Sequence, residues 1–158
     1  MNPQDLTVVI ILLLALGYGF VIGRSRVVAA LLGVYTGYAL GALIGPELND
    51  WLVARGVISQ SGTPWVAILL LLLPMILFIY RFDVQAVVGR QKGLMSHALT
   101  AVFSFLVAAL ALTLVLQQLV IAGQSWQDGA VAGQLIDLAT VWVSLPLVLW
   151  GVLSFLRR

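Results

Sequence analysis

The chain has 158 residues, of which 62% are hydrophobic and only 9% are charged. A water-exposed surface needs roughly 25–35% charged residues, and eight Lys and Arg with six Asp and Glu cannot cover a globule of this size. A soluble domain and a disordered chain are both excluded, which leaves an integral membrane protein.

A membrane-crossing helix needs about 20 mostly apolar residues. The first apolar run is 6–23, between Asp5 and Arg24. No Lys or Arg precedes it, so it lacks the positive start of a cleaved secretory signal and reads as a retained span. Arg24-Ser25-Arg26 makes a tight turn into the second run, 27–45, which Pro46-Glu47 closes. Over 47–55, Leu48, Trp51 and Leu52 share one helical face, and Gly56 is placed to end a helix. This predicts a short amphipathic helix on the outer membrane surface, with Trp51 at headgroup depth.

The third run is 64–80, stopped by Arg81. Pro64 suits a first helical turn, and Pro74 predicts a kink. The connection from Arg81 to Gly93 reads as a surface helix or an extension of the third span. The fourth run is 94–122, with Ser96 and His97 at its start and Gln117-Gln118 near its end. The fifth is 135–156, with Pro146 inside it and Arg157-Arg158 behind it. These runs are continuous and leucine-rich, without the alternation of barrel strands. The predicted fold is one all-α transmembrane domain over 1–158, a bundle of about five helices.

With the N-terminus outside, Arg24, Arg26, Arg81, Arg90, Lys92, Arg157 and Arg158 fall on the cytoplasmic side and only Arg55 outside. That asymmetry is the positive-inside pattern. It places Arg24, Arg26 and Arg81 at the inner interface, Trp51 at the outer one, and the C-terminus in the cytoplasm. The basic residues are scattered at segment ends, so the chain is not a nucleic-acid binder.

The sharpest pattern lies in the second span, where Ala29, Gly33, Gly37, Gly41 and Gly45 recur every fourth residue. Ala15, Gly19 and Gly23 repeat at that spacing in the first span, and Ser96, Thr100, Ser104 and Ala108 in the fourth. In lipid, such grooves let helix backbones approach closely. The first reading is packing between helices of the same chain. The second is a homo-oligomer contact or a pore lining. Tyr35 and Tyr38 are expected to face away from the ladder, filling space or reaching polar partners.

Chemistry is sparse. With no cysteine, thiol catalysis and thiolate metal sites are absent. No Lys, Arg, Asp or Glu falls in the middle of a predicted span, where ionisable groups would mark ion or proton paths. His97 is the only histidine; it reads as structural or interfacial, and a lipid-directed enzyme built on it ranks last. Asp137 reads as a cap at the outer start of the fifth span. The expectation is therefore no catalytic residue, cofactor or metal.

The layout resembles the colicin V production protein family, small bacterial inner-membrane proteins. The resemblance rests on the elbow Gly19-Phe20-Val21-Ile22-Gly23-Arg24-Ser25-Arg26, the small-residue helix after it, and Gly93-Leu94 leading into the fourth span. Ser125-Trp126-Gln127-Asp128 before the last apolar segment is also similar. The elbow reads Gly-Arg-Ser-Arg where the family usually shows Arg-Gly. The resemblance implies a non-enzymatic subunit or scaffold of the bacterial inner membrane, supporting export or envelope homeostasis. The expected partners are membrane lipid and a homo-oligomer or larger membrane complex; the alternative is an oligomeric pore built on the glycine-rich second span.

Overall fold

The computed structural model describes residues 2–59, 62–81 and 94–156. Asp83, Arg90, Lys92, Gly93, Arg157 and Arg158 lie outside the described residues, and so do the side chains of Arg24 and Ser96. Every regular element among the described residues is helical.

Helix α1 spans Pro3–Ile22, with Pro3 at the start where its missing N–H is no loss. It ends at Gly23, whose φ of +79° only glycine adopts without strain, and the Gly23 N–H donates to the Gly19 carbonyl. Helix α2, Arg24–Ala54, starts on the next residue. The turn expected at Arg24-Ser25-Arg26 is therefore a single-residue elbow at Gly23.

Helix α2 runs unbroken through Pro46. This corrects the division into a span over 27–45 and a separate surface helix over 47–55. Pro46 removes one backbone hydrogen bond, a loss that membrane helices tolerate where neighbouring helices, side chains or water satisfy the freed carbonyl. At 31 residues the helix is about 46 Å long, against a hydrocarbon core of about 30 Å. Its end is where the sequence placed it. Gly56 has φ +67°, its N–H donates to Val53, and the Val57 N–H donates to Leu52. This pair of bonds is the glycine-based stop that satisfies the last carbonyls.

Helix α3 spans Thr63–Arg81, with Pro64 in its first turn and Pro74 inside. Helix α4 spans Leu94–Ile121 and packs against all the other helices. It supplies the centre of the core. Phe103, Val107, Leu110 and Leu114 meet Val27, Ala30, Leu31 and Val34 of α2 and Leu71 and Ile79 of α3. A second cluster joins Val8 of α1 to Ala109 and Leu116.

The fifth run is not one helix. After a short 3-10 turn at Trp126–Asp128 come α5, Ala130–Asp137, and α6, Ala139–Leu156. They meet at Leu138 with a 64° bend. The break lies well ahead of Pro146, where a kink was expected, and α5 begins earlier than the predicted start at 135. Both α5 residues buried within the protein, Ala132 and Leu135, join the second cluster, so contact with α1 and α4 holds the half-helix in place.

Among the described residues, three helices are each long and apolar enough to cross a membrane: Ser25–Ala54, Thr63–Arg81 and His97–Ile121. The bent pair makes a fourth if taken as one span, and α1 has a shorter apolar stretch, Pro3–Gly19. The chain is thus an all-helical protein of multi-pass membrane type.

Candidate helix-packing interface

The small-residue positions divide into two groups. At Gly33, a Cβ would collide with Met75 Cα and lie 2.9 Å from Met75 N and 3.0 Å from the Pro74 carbonyl oxygen. At Gly37, it would collide with the Leu71 carbonyl oxygen and lie 2.8 Å from Leu71 Cα. These neighbours are backbone atoms, which cannot move aside as a side chain does. Ala29 is fully buried beside Val28, against Phe78 of α3. The N-terminal half of the ladder, Ala29 to Gly37, is therefore at the seam between α2 and α3.

Further along α2 the fit is looser: among the described residues, a Cβ at Gly41 or Gly45 would meet nothing within 4 Å, although Gly45 itself is buried. Gly41 instead lines a cleft of about 170 Å³ together with Gly37, Tyr38, Ala67, Gln117 and Gln118. A neighbouring cleft of about 240 Å³ continues past Asn49, Thr63 and Gln118. The Asn49 Oδ1 atom is buried without a hydrogen-bond partner.

The first and fourth spans meet where their small residues coincide. A Cβ at Gly19 would fall on Ser104 Oγ and 2.5 Å from Ser104 Cβ. Ala15 and Ala108 line a small apolar cavity beside this crossing, about 70 Å³. Thr100 is buried. Gly23 has no neighbour for a Cβ to meet; its role is the elbow and not the packing expected of it.

Among the residues expected at the membrane interface, Trp51 is exposed and carries the Arg55 guanidinium 5.0 Å from its ring centre, a cation–π contact. Arg26 and Arg81 are exposed at the ends of their helices, and His97 is exposed near the start of α4.

Three polar contacts join helices that are distant in the chain. The Asp5 carboxylate, only 4% exposed, accepts from the backbone N–H groups of Ala130, Val131 and Ala132 at 3.1, 2.9 and 3.3 Å. It caps α5 from another helix, and its charge suits a helix N-terminus. Asp5 stands in the first turn of α1, ahead of the apolar sequence run over 6–23. Burial pushes its carboxyl upward, but the three N–H donors outweigh this and hold it below the ordinary value. The expected cap, Asp137, is instead the last residue of α5, exposed, with Leu138 between it and α6.

The second contact is the Tyr35 hydroxyl of α2 donating to the Val143 carbonyl of α6. Tyr38, by contrast, stays exposed beside the cleft. The third is at the break. The Thr113 hydroxyl lies 2.7 Å from the Ala109 carbonyl oxygen and 3.3 Å from that of Leu135. An unbroken helix would give the Leu135 carbonyl to the Ala139 N–H. Trp142 then packs edge-on against Phe105, with ring centres 6.1 Å apart.

Among the described residues, no group of three or more His, Cys, Asp or Glu is placed to hold a metal ion. Comparison with known proteins gives no match to any family model, curated protein or solved structure.

Proposed function

We propose that the chain is a non-enzymatic scaffold or subunit of a bacterial inner-membrane assembly. It crosses the membrane five times, counting α1 and the bent pair, with its N-terminus outside and its C-terminus in the cytoplasm. The observation that carries this reading is the seating of Gly33 and Gly37 on the backbone of α3. Direct backbone contact of this kind builds a rigid body whose outer faces are free to meet lipid or partners. The role in export or envelope homeostasis comes from the resemblance in span layout alone.

The test is deletion of the gene in its host, reading secretion and detergent sensitivity. Impairment rescued by the wild type but not by Gly37→Leu supports the scaffold. An unchanged envelope and normal secretion in the deletion strain overturn it. Single-cysteine labelling reads the topology directly, because the chain has no cysteine of its own.

The free space beside Gly41 favours a second reading, an oligomeric pore built on α2. Gly41 faces a cleft lined by Gln117 and Gln118, polar enough to hold water. Reconstituted protein that forms oligomers but passes no ion or small solute in vesicles removes this reading.

A further inference from the structure

We propose that the exposed face headed by Asp137 docks a transmembrane helix of another protein bearing a Lys or Arg at matching depth. The proposal rests on the reading of α5 and α6 as one bent span.

Depth comes first. Leu135 is tied to Thr113 and Trp142 is packed on Phe105. Thr113 lies eight residues inside the end of α4 at Ile121 and Phe105 sixteen, which is about 12 and 24 Å along the helix. Asp137 sits in the chain between Leu135 and Trp142. It therefore lies well below the outer end of α4, within the apolar layer that helix would cross.

Environment comes second. Asp137 is exposed and has no ion pair or hydrogen bond among the described residues. It also ends α5, where the helix carbonyls add negative potential and offset none of its charge. A lone carboxylate facing hydrocarbon is strongly disfavoured, and such groups in membrane proteins pair with other groups or with water. A cation on a second helix would neutralise it.

Shape comes third. Val141, Ser144 and Val148 are exposed, and their spacing of three and four sets them along one side of α6; Asp137 is exposed just ahead of the bend that leads into it. The Ser144 hydroxyl turns back to the Thr140 carbonyl at 2.9 Å, so it offers no free donor and the surface below the carboxylate is mainly apolar. Exposed Gly151 extends it. A second helix can approach such a surface closely.

The occupant follows from charge. Every Lys and Arg of this chain lies outside the apolar runs. A second copy has no cation to offer at that depth, so the partner is a different chain.

The test uses the full-length protein in phosphatidylcholine–phosphatidylglycerol vesicles, with a dye on Ser125→Cys. Labelled Leu/Ala-rich transmembrane peptides carry Lys, Leu or Glu about 10 Å below the outer interface, within a core of about 30 Å. Energy transfer should show the Lys peptide associating about tenfold more tightly than the Leu peptide, as expected of one polar contact in lipid. The Glu peptide should not associate, and Asp137→Asn should abolish the Lys preference. Equal association of the Lys and Leu peptides overturns the proposal, as does a Lys preference that survives Asp137→Asn. Efficient disulfide formation between two copies of Val148→Cys also overturns it, by making the face a self-interface. Rapid labelling of Asp137→Cys by an impermeant maleimide from outside would overturn the bent-span reading itself; slow labelling with no peptide preference sinks the docking alone.

Discussion

The Asp5 carboxylate lies so close to Gly129, at the start of α5, that a side chain at 129 would crowd it. A Cβ at Gly129 would lie 2.6 Å from Asp5 Oδ1, inside van der Waals contact. Asp5 stands in the first turn of α1 and Gly129 immediately before α5, so the pair ties the first helix to the last bent segment. Gly129→Ala should expel the carboxylate and leave three N–H groups without their acceptor. A thermal melt in detergent should show the midpoint fall by a few degrees, with Asp5→Ala falling similarly. If Gly129→Ala melts with the wild type, the carboxylate does not occupy this position.

The same contact predicts a pH dependence. The folded Asp5 carboxyl is held below its ordinary value of 3.8. A group whose folded pKa is depressed adds stability that is fully present above the unfolded value and fades as pH falls through the folded one. The advantage of wild type over Asp5→Ala should therefore be constant well above pH 3.8 and shrink below it. Melting curves of both proteins across this range check the sign. An advantage that grows on acidification would mean the carboxylate is not the acceptor.

Along the glycine ladder the expected effects are opposite at adjacent steps. Gly37→Ala places a methyl group against the Leu71 backbone and should destabilise by about 1–3 kcal/mol, the usual range for overpacking. Gly41→Ala meets nothing within 4 Å, and replacing glycine in a helix should leave stability unchanged or raise it slightly. Denaturation in mixed micelles distinguishes the two. Similar losses at both sites would place α3, or a second chain, along the whole ladder.

The ladder shows what the sequence could and could not reveal. Spacing alone identified the face, because a four-residue repeat of glycine in a helix has few uses other than close approach. It could not say where the neighbouring helix ends its contact, since Gly37 and Gly41 are the same residue type on the same stripe. The elbow at Gly23 and the stop at Gly56 carry local chemistry and are legible for that reason. Pro46 reads as a boundary by the same local rules, yet α2 continues through it. The Asp5 contact joins residues 125 apart, and nothing near Asp5 distinguishes it from an acidic residue serving its own helix. Asp137 was misplaced because its position depends on the break at Leu138, which Thr113 supports from another helix.

Two side chains hold the bent pair against the bundle. Tyr35→Phe removes the hydroxyl that donates to the Val143 carbonyl. Thr113→Val removes the one beside the Leu135 carbonyl. Interhelical hydrogen bonds in membranes average about 0.6 kcal/mol, so each change should lower stability only modestly. The sharper readout is amide exchange over 135–143, which should quicken in both variants while exchange in α2 and α3 stays the same. Uniform quickening would mean that the bend is not a separately held unit.

The crossing of α1 and α4 carries the last prediction. Ser104 is 4% exposed, and its Oγ is buried without a hydrogen-bond partner. An unsatisfied hydroxyl is a liability that an apolar group of similar shape removes, so Ser104→Ala should be neutral or stabilising. Gly19→Ala should destabilise, because the new methyl group meets both Oγ and Cβ of Ser104. Ser104→Ala should not rescue Gly19→Ala, since the Ser104 Cβ position 2.5 Å away remains occupied. Ser104→Gly clears that position and should restore much of the loss. Melts of the two single and two double variants test this order. Rescue by Ser104→Ala equal to that by Ser104→Gly would show that the hydroxyl alone sets the spacing between the helices.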